Sequence, residues 1–65
     1  MHEDRKQLLL SPNNAARVLD VSRATIYALM KIGRIRYVYV GADRRIPATE
    51  LERVAKEGTA TTAAA

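Results

Sequence analysis

Ser22, Arg23, Thr25, Tyr27 and Lys31 fall within one stretch, SRATIYALMK, in which Arg23, Tyr27 and Lys31 recur at intervals of four residues. On an α-helix, residues four apart lie one above another, so these three form a stripe, and Ile26, Leu29 and Met30, at spacings of three and four, form a second, inward one. A guanidinium can bond two acceptors at once, an ammonium acts as a point charge, and hydroxyls beside a helix N-terminus add to the free amides there. This set suits phosphates and base edges, above all the O6 and N7 of guanine. Ala24 and Ala28 are small enough to let the helix approach closely.

The cations do not stop at Lys31. From Lys31 to Arg45 the chain carries five of them (Lys31, Arg34, Arg36, Arg44 and Arg45) against one anion, Asp43. That strip accounts for the net charge of +4 over 65 residues, and the remainder is balanced. A localised basic strip attracts a polyanionic backbone.

Other chemistries lack their parts. With no cysteine there is no disulfide or thiolate metal site, which fits a reducing cytoplasm. His2 is the sole histidine and stands in a polar segment, so neither a metal nor another cofactor is expected. Glu50, Glu52 and Glu57 read as the solvated face of a last helix, and Arg17 and Arg53 as solvated cations. There is no glycine-rich phosphate loop and no Ser-His-Asp set, so the chain is not expected to be an enzyme. The apolar run Leu8 to Leu10 is far too short for a signal peptide or a membrane helix, which needs about 18 residues.

The elements that must position the basic groups can be read in order. Residues 1–7 form a charged, flexible arm, and Leu8–Leu10 is either a small edge strand or a lead-in packed on the core. Ser11-Pro12 is an N-cap followed by the first residue of a helix over about 12–19, with Ala15, Ala16, Val18 and Leu19 inward. Asp20 takes a turn position that calls for positive φ, Val21 plugs the turn into the core, and Ser22 caps a second helix that stops at Gly33. Two helices joined by so tight a turn make a helix-turn-helix, whose second helix enters the major groove. Ile35 returns to the core. Arg36–Val40 alternates as a strand, with Tyr37 and Tyr39 on one face, and Gly41 to Arg44 forms a hairpin tip before a short return through Arg45-Ile46-Pro47. A third helix over about 49–57 buries Leu51 and Val54 and ends at Gly58. The predicted fold is α+β: a small winged helix-turn-helix of three helices and a two-stranded hairpin wing over residues 8–58, with a disordered tail at 59–65.

In this arrangement Arg23 reads a base edge or clamps a phosphate, while Ser22 and Thr25 meet a phosphate. Tyr27 stacks on a sugar or thymine methyl, bonds a phosphate, or packs against the wing strand, and Lys31 lies near a phosphate. Of Arg44 and Arg45, placed at the wing tip, one enters the narrow minor groove and the other skirts the backbone. Arg34 and Tyr39 are weaker candidates.

The run from Leu8 to Val54 resembles the excisionase-type branch of the MerR-like winged helices. The likeness rests on a leucine lead-in, Ser11-Pro12, Ala15-Ala16, Val21-Ser22, the Arg23-x-Thr25-Ile26-Tyr27 core, Val40-Gly41, Arg45-Ile46-Pro47 and Leu51-Glu52. It departs at Asn13-Asn14, at Asp20 and at Arg34-Ile35-Arg36, the last adding positive charge. The resemblance implies a phage excisionase, a recombination directionality factor without recombinase chemistry of its own. Such a protein binds repeats in an attachment region of double-stranded DNA, self-associates head to tail, bends the site and directs a phage integrase, expected to be a tyrosine recombinase, toward prophage excision. The alternative is a small MerR-like transcriptional regulator on a promoter. Either would work in the bacterial cytoplasm, without a membrane partner.

The basic strip sets a first expectation. If each protomer neutralises about five phosphates, a plot of log K against log salt for duplex DNA slopes at about −4 to −5. A salt titration by fluorescence anisotropy measures this directly, and a flat response would remove the electrostatic basis of the reading.

Overall fold

Ser11 and Ser22 each open a helix in the same way. In the computed structural model, which describes residues 8–59, Ser11 Oγ accepts the Asn14 amide at 3.2 Å ahead of α1 (Pro12–Leu19). Ser22 Oγ accepts the Thr25 amide at 3.0 Å ahead of α2 (Arg23–Lys31). Pro12, in the first turn of α1, has no amide left to satisfy. The expected arm at 1–7, and the expected tail apart from Thr59, lie outside the described residues.

Both helices stop in a Schellman motif. Asp20 has φ of 59°, its amide donates to the Arg17 carbonyl at 3.2 Å, and the Val21 amide reaches back to Ala16 at 2.9 Å. At the end of α2 the same pair of bonds runs from Gly33 (φ 80°) to Met30 at 3.2 Å and from Arg34 to Leu29 at 2.9 Å. The first stop creates the tight turn between the helices. The second redirects the chain so that Ile35 re-enters the core.

The sheet has three antiparallel strands, β1 (Leu9–Leu10), β2 (Val38–Val40) and β3 (Asp43–Pro47), in the order β1-β3-β2. The expected two-stranded wing therefore gains an edge: Leu9 lies opposite Pro47 and Leu10 opposite Ile46. Past Pro47, which has no N–H, the Ala48 amide donates to the Leu8 carbonyl at 2.9 Å. The hairpin loop is only Gly41-Ala42, with φ of 66° at Gly41, a positive φ that suits the twist of a two-residue connection. Arg44 and Arg45 consequently lie within β3, opposite Tyr39 and Val38, and not at the tip. β2 is also shorter than expected, because the Arg36 amide bonds a side chain instead of a strand neighbour.

The chain closes with α3 (Ala48–Glu57), ended by Gly58, whose amide bonds Val54 at 2.7 Å. The core gathers Leu10, Ala15, Ala16, Ile26, Met30, Ile35, Ile46, Leu51 and Val54, and its three fully buried isoleucines come from α2, the segment after it and β3. Each contributes about 1.5–3 kcal/mol by leaving water. An exposed ion pair such as Arg45–Asp43, at 3.7 Å, contributes about 0.2–1 kcal/mol, so apolar packing holds the sheet to the helices.

Two apolar residues expected inside are not. Val18 is 61% exposed, because α1 has only two turns and packs flush through Ala15 and Ala16. Val21 is also exposed: the Schellman turn holds it over a shallow groove with Leu19, Leu29 and Val54 instead of beneath the helices. Leu19 and Leu29 are half-buried against the core.

The larger correction concerns α3. Glu50, expected on a solvated face, is 7% exposed, and Arg53 is its partner. Arg53 Nε donates to Glu50 Oε1 at 3.1 Å and Nη2 to Oε2 at 2.6 Å, while the Arg36 amide donates to Oε2 at 3.0 Å. Arg53 also reaches the Arg34 carbonyl at 3.0 Å and Glu57 at 3.4 Å. A carboxylate is buried here because three donors replace its water. The group ties the segment between α2 and β2 to α3.

The Arg53 hydrogen bonds, opposed by burial and joined by the Arg36 amide, hold the Glu50 carboxyl below the usual carboxylate range. A depressed carboxyl stabilises the fold above its unfolded pKa, and that contribution is lost as pH falls through the folded value. Wild type should therefore exceed Glu50→Gln in urea-unfolding stability at neutral pH, with the gap closing in acid. A gap that does not vary with pH would deny the charged clamp this role.

Candidate nucleic-acid interface

The side of α2 away from the core is continuous. Ser22, Arg23, Ala24, Thr25, Ala28 and Lys31 are exposed, and Tyr27 is half-buried at its edge nearest the sheet. Ile26 and Met30 anchor the opposite side. Ser22 and Thr25 hydroxyl oxygens lie 2.8 Å apart, so the cap and its neighbour form one polar group at the helix N-terminus. Lys31 prolongs the exposed side one turn beyond Tyr27.

Across from α2 the sheet contributes a second half. In β3, Arg44 shares a face with the buried Ile46, and Tyr39 lies directly across from it in β2. The Arg44 guanidinium carbon lies 5.4 Å from the centre of the Tyr27 ring and 5.7 Å from that of Tyr37. The Arg23 guanidinium lies 5.1 Å from the same Tyr27 ring, and Tyr37 meets Tyr39 edge to face with centres 5.8 Å apart. Cations and aromatic rings thus alternate from helix to sheet, at distances where ring faces attract positive charge. Tyr27 is held by the wing strand through Arg44 and also packs against the core.

Arg45 is the exception among the expected site residues. Strand alternation sends it to the opposite, outer face with Asp43, Val38 and Val40. Its Nη1 donates to the Arg44 carbonyl at 2.8 Å, and its Nη2 lies 3.7 Å from Asp43 Oδ2. The structure therefore brings Ser22, Arg23, Thr25, Tyr27, Lys31 and Arg44 to one surface and leaves Arg45 outside it.

Charge pairing divides the cations in the same way. Arg45 and Arg53 meet carboxylates, whereas among the described residues Arg23, Lys31 and Arg44 meet none. Closely set cations without internal counter-charge suit an anionic ligand. Tyr37 was not anticipated as part of this surface, although its two-residue spacing from Tyr39 already placed both rings on one face. Glu50 and Arg53 were missed as the group that ties the segment before β2 to α3. Their three-residue spacing was the available signal, since it lets a carboxylate and a guanidinium meet on one helix side.

The helix-turn-helix domain family matches residues 9–59, from β1 to just past α3. No curated protein and no solved structure matches the chain. Among the described residues, no helix is long and apolar enough to cross a membrane, and no group of three or more His, Cys, Asp or Glu residues could hold a metal ion.

The arrangement separates the expected roles of two cations. Arg23, at the first turn of α2, is expected to read a base edge, and Lys31, two turns on, to meet backbone phosphate. Arg23→Ala should lose about 1–3 kcal/mol of discrimination between selected and random duplexes, whereas Lys31→Ala should weaken both alike. Binding isotherms of both variants on both duplexes measure this. An unchanged ratio for Arg23→Ala would move that residue to the phosphate class.

Proposed function

The chain belongs to the helix-turn-helix domain family and carries a DNA-binding winged helix-turn-helix domain, and on that premise we propose that it is an excisionase that bends attachment-site DNA. In this reading α2 lies in the major groove, with Arg23 at a guanine edge and Ser22, Thr25 and Lys31 on phosphates. Tyr27 lies against the sugar-phosphate wall, and Arg44 supplies the sheet's contact. The protein has no recombinase chemistry of its own and directs a phage integrase, a tyrosine recombinase, toward excision in the cytoplasm of a bacterial host.

The observation that carries this reading is the Arg23-x-Thr25-Ile26-Tyr27 core, whose cation is exposed and meets no carboxylate among the described residues, followed by Arg45-Ile46-Pro47 in the sheet. The first motif resembles the reading helix of the excisionase-type proteins, and the second the return strand of their wing. Footprint supports the need for repeats. A single module of this size buries about 600–1,000 Å² on DNA and reads few base pairs, so several copies must act together. Bending a site of about 20–30 base pairs costs on the order of 1–6 kcal/mol, which contacts between protomers loaded head to tail on adjacent repeats offset.

The test is a recombination assay with an integrase encoded beside this protein, with circular-permutation gel shifts on its attachment region. Stepwise cooperative loading, a bend that grows with loading, and a rise in excision without a rise in integration are expected. Independent binding by one protomer, straight DNA and an indifferent integrase would instead favour a small MerR-like regulator acting at a promoter.

A further inference from the structure

Two arginines from different elements converge on one tyrosine ring. Arg23 comes from the first turn of α2 and Arg44 from the central strand of the sheet, and both guanidinium carbons lie within 5.4 Å of the centre of the Tyr27 ring. Their separation is therefore no more than about 10.5 Å, close to the Debye length of about 8–10 Å at ordinary ionic strength. At that range the two charges repel, and among the described residues no carboxylate meets either. Arg45, the next residue of the same strand, differs: its guanidinium is occupied by a carbonyl and by Asp43.

Resting on the DNA-binding reading above, we infer that Tyr27 and Arg44 determine sequence selectivity by positioning Arg23, so that a helix residue and a strand residue act as one unit through a shared aromatic ring. An arginine alone on a helix surface samples many rotamers and bonds whichever acceptor comes within reach. Attraction to the ring acts on the charge of the guanidinium and leaves its N–H donors for a base edge. The ring can serve this way because it is itself fixed, half-buried against the core on one element and held by Arg44 on the other. Arg44 is fixed in turn by a second ring, Tyr37, and by its ladder position opposite Tyr39. The hairpin tip, Gly41-Ala42, carries no cation, so Arg44 works beside the major-groove helix and not as a probe at the end of a wing.

Repulsion between the two arginines has a further consequence. A phosphate or a guanine edge that meets both relieves it, so each arginine improves the site for the other only when the correct acceptor is present. Selectivity should then depend on the pair and not on the sum of two contacts.

The probe is a duplex selected in vitro from a random pool by the wild-type protein, compared with a scrambled duplex of the same length and composition. Tyr27→Phe keeps the ring and should keep the ratio of affinities within about two-fold, even if loss of the hydroxyl lowers both affinities. Tyr27→Leu and Arg44→Met should each reduce the ratio about 5- to 10-fold, and Arg23→Ala combined with Arg44→Met should reduce it no further than Arg23→Ala alone. Circular dichroism reports folding. If Tyr27→Leu does not fold, Arg44→Met, which keeps an apolar stem on a strand already paired on both sides, decides the matter. A folded Tyr27→Leu or Arg44→Met with the wild-type ratio, or a double variant whose loss is the product of the single losses, would overturn the inference while leaving the DNA-binding reading intact. Failure of the wild type to enrich any duplex would overturn both.

Discussion

The carboxylate of Glu50 ties the segment between the second helix and the sheet to the last helix. Burying a charge is costly, and it is tolerated here because Arg53 supplies two hydrogen bonds and the Arg36 amide a third. Drawing that amide toward α3 removes it from the strand ladder, so β2 begins at Val38. The two-residue loop Gly41-Ala42 pairs Tyr39 with Arg44, and Arg44 lies on the inward face of β3, in line with Ile46 and within reach of Tyr27.

Stability and binding draw on separate sets of residues. Three fully buried isoleucines, one from α2, one from the segment after it and one from β3, hold helix and sheet together. The cations that carry the proposed contacts add little to that core. They stand on its rim beside tyrosine rings, without carboxylate partners among the described residues. Such a surface favours an anionic ligand because the ligand completes an electrostatic balance that the protein leaves open.

Much of this was legible before folding is considered. Both serine caps, the left-handed turn at Asp20 and the stop at Gly33 follow from local chemistry, since each depends on atoms within a few residues. The stripe of Arg23, Tyr27 and Lys31 at four-residue intervals was legible too, but not that Arg23 stands exposed beside the buried Ile26 and Met30, because residues three and seven apart share a helix side. Val18 and Val21 show the limit of that logic. Periodicity gives the direction of a side chain, but coverage depends on how much protein lies in that direction, and a two-turn α1 meets little there.

The placement of the two arginines after the hairpin turned on a single residue of register. Arg44 and Arg45 are alike by composition, charge and distance from the turn, yet strand alternation sends one toward Tyr27 and the other to the outer face with Asp43. That choice depends on the loop closing over two residues and on Ile46 being taken into the core, both outcomes of packing across the whole domain. Likewise the Glu50–Arg53 pair is visible as a helical spacing, but its burial required the segment from Arg34 to Arg36 to come against α3. By itself the sequence determined the helices, their ends, the presence of a hairpin and the excess of positive charge, because those rest on neighbours along the chain. Tertiary structure alone decided which charges meet, because contacts between α2, β3 and α3 exist only once the shared core has closed.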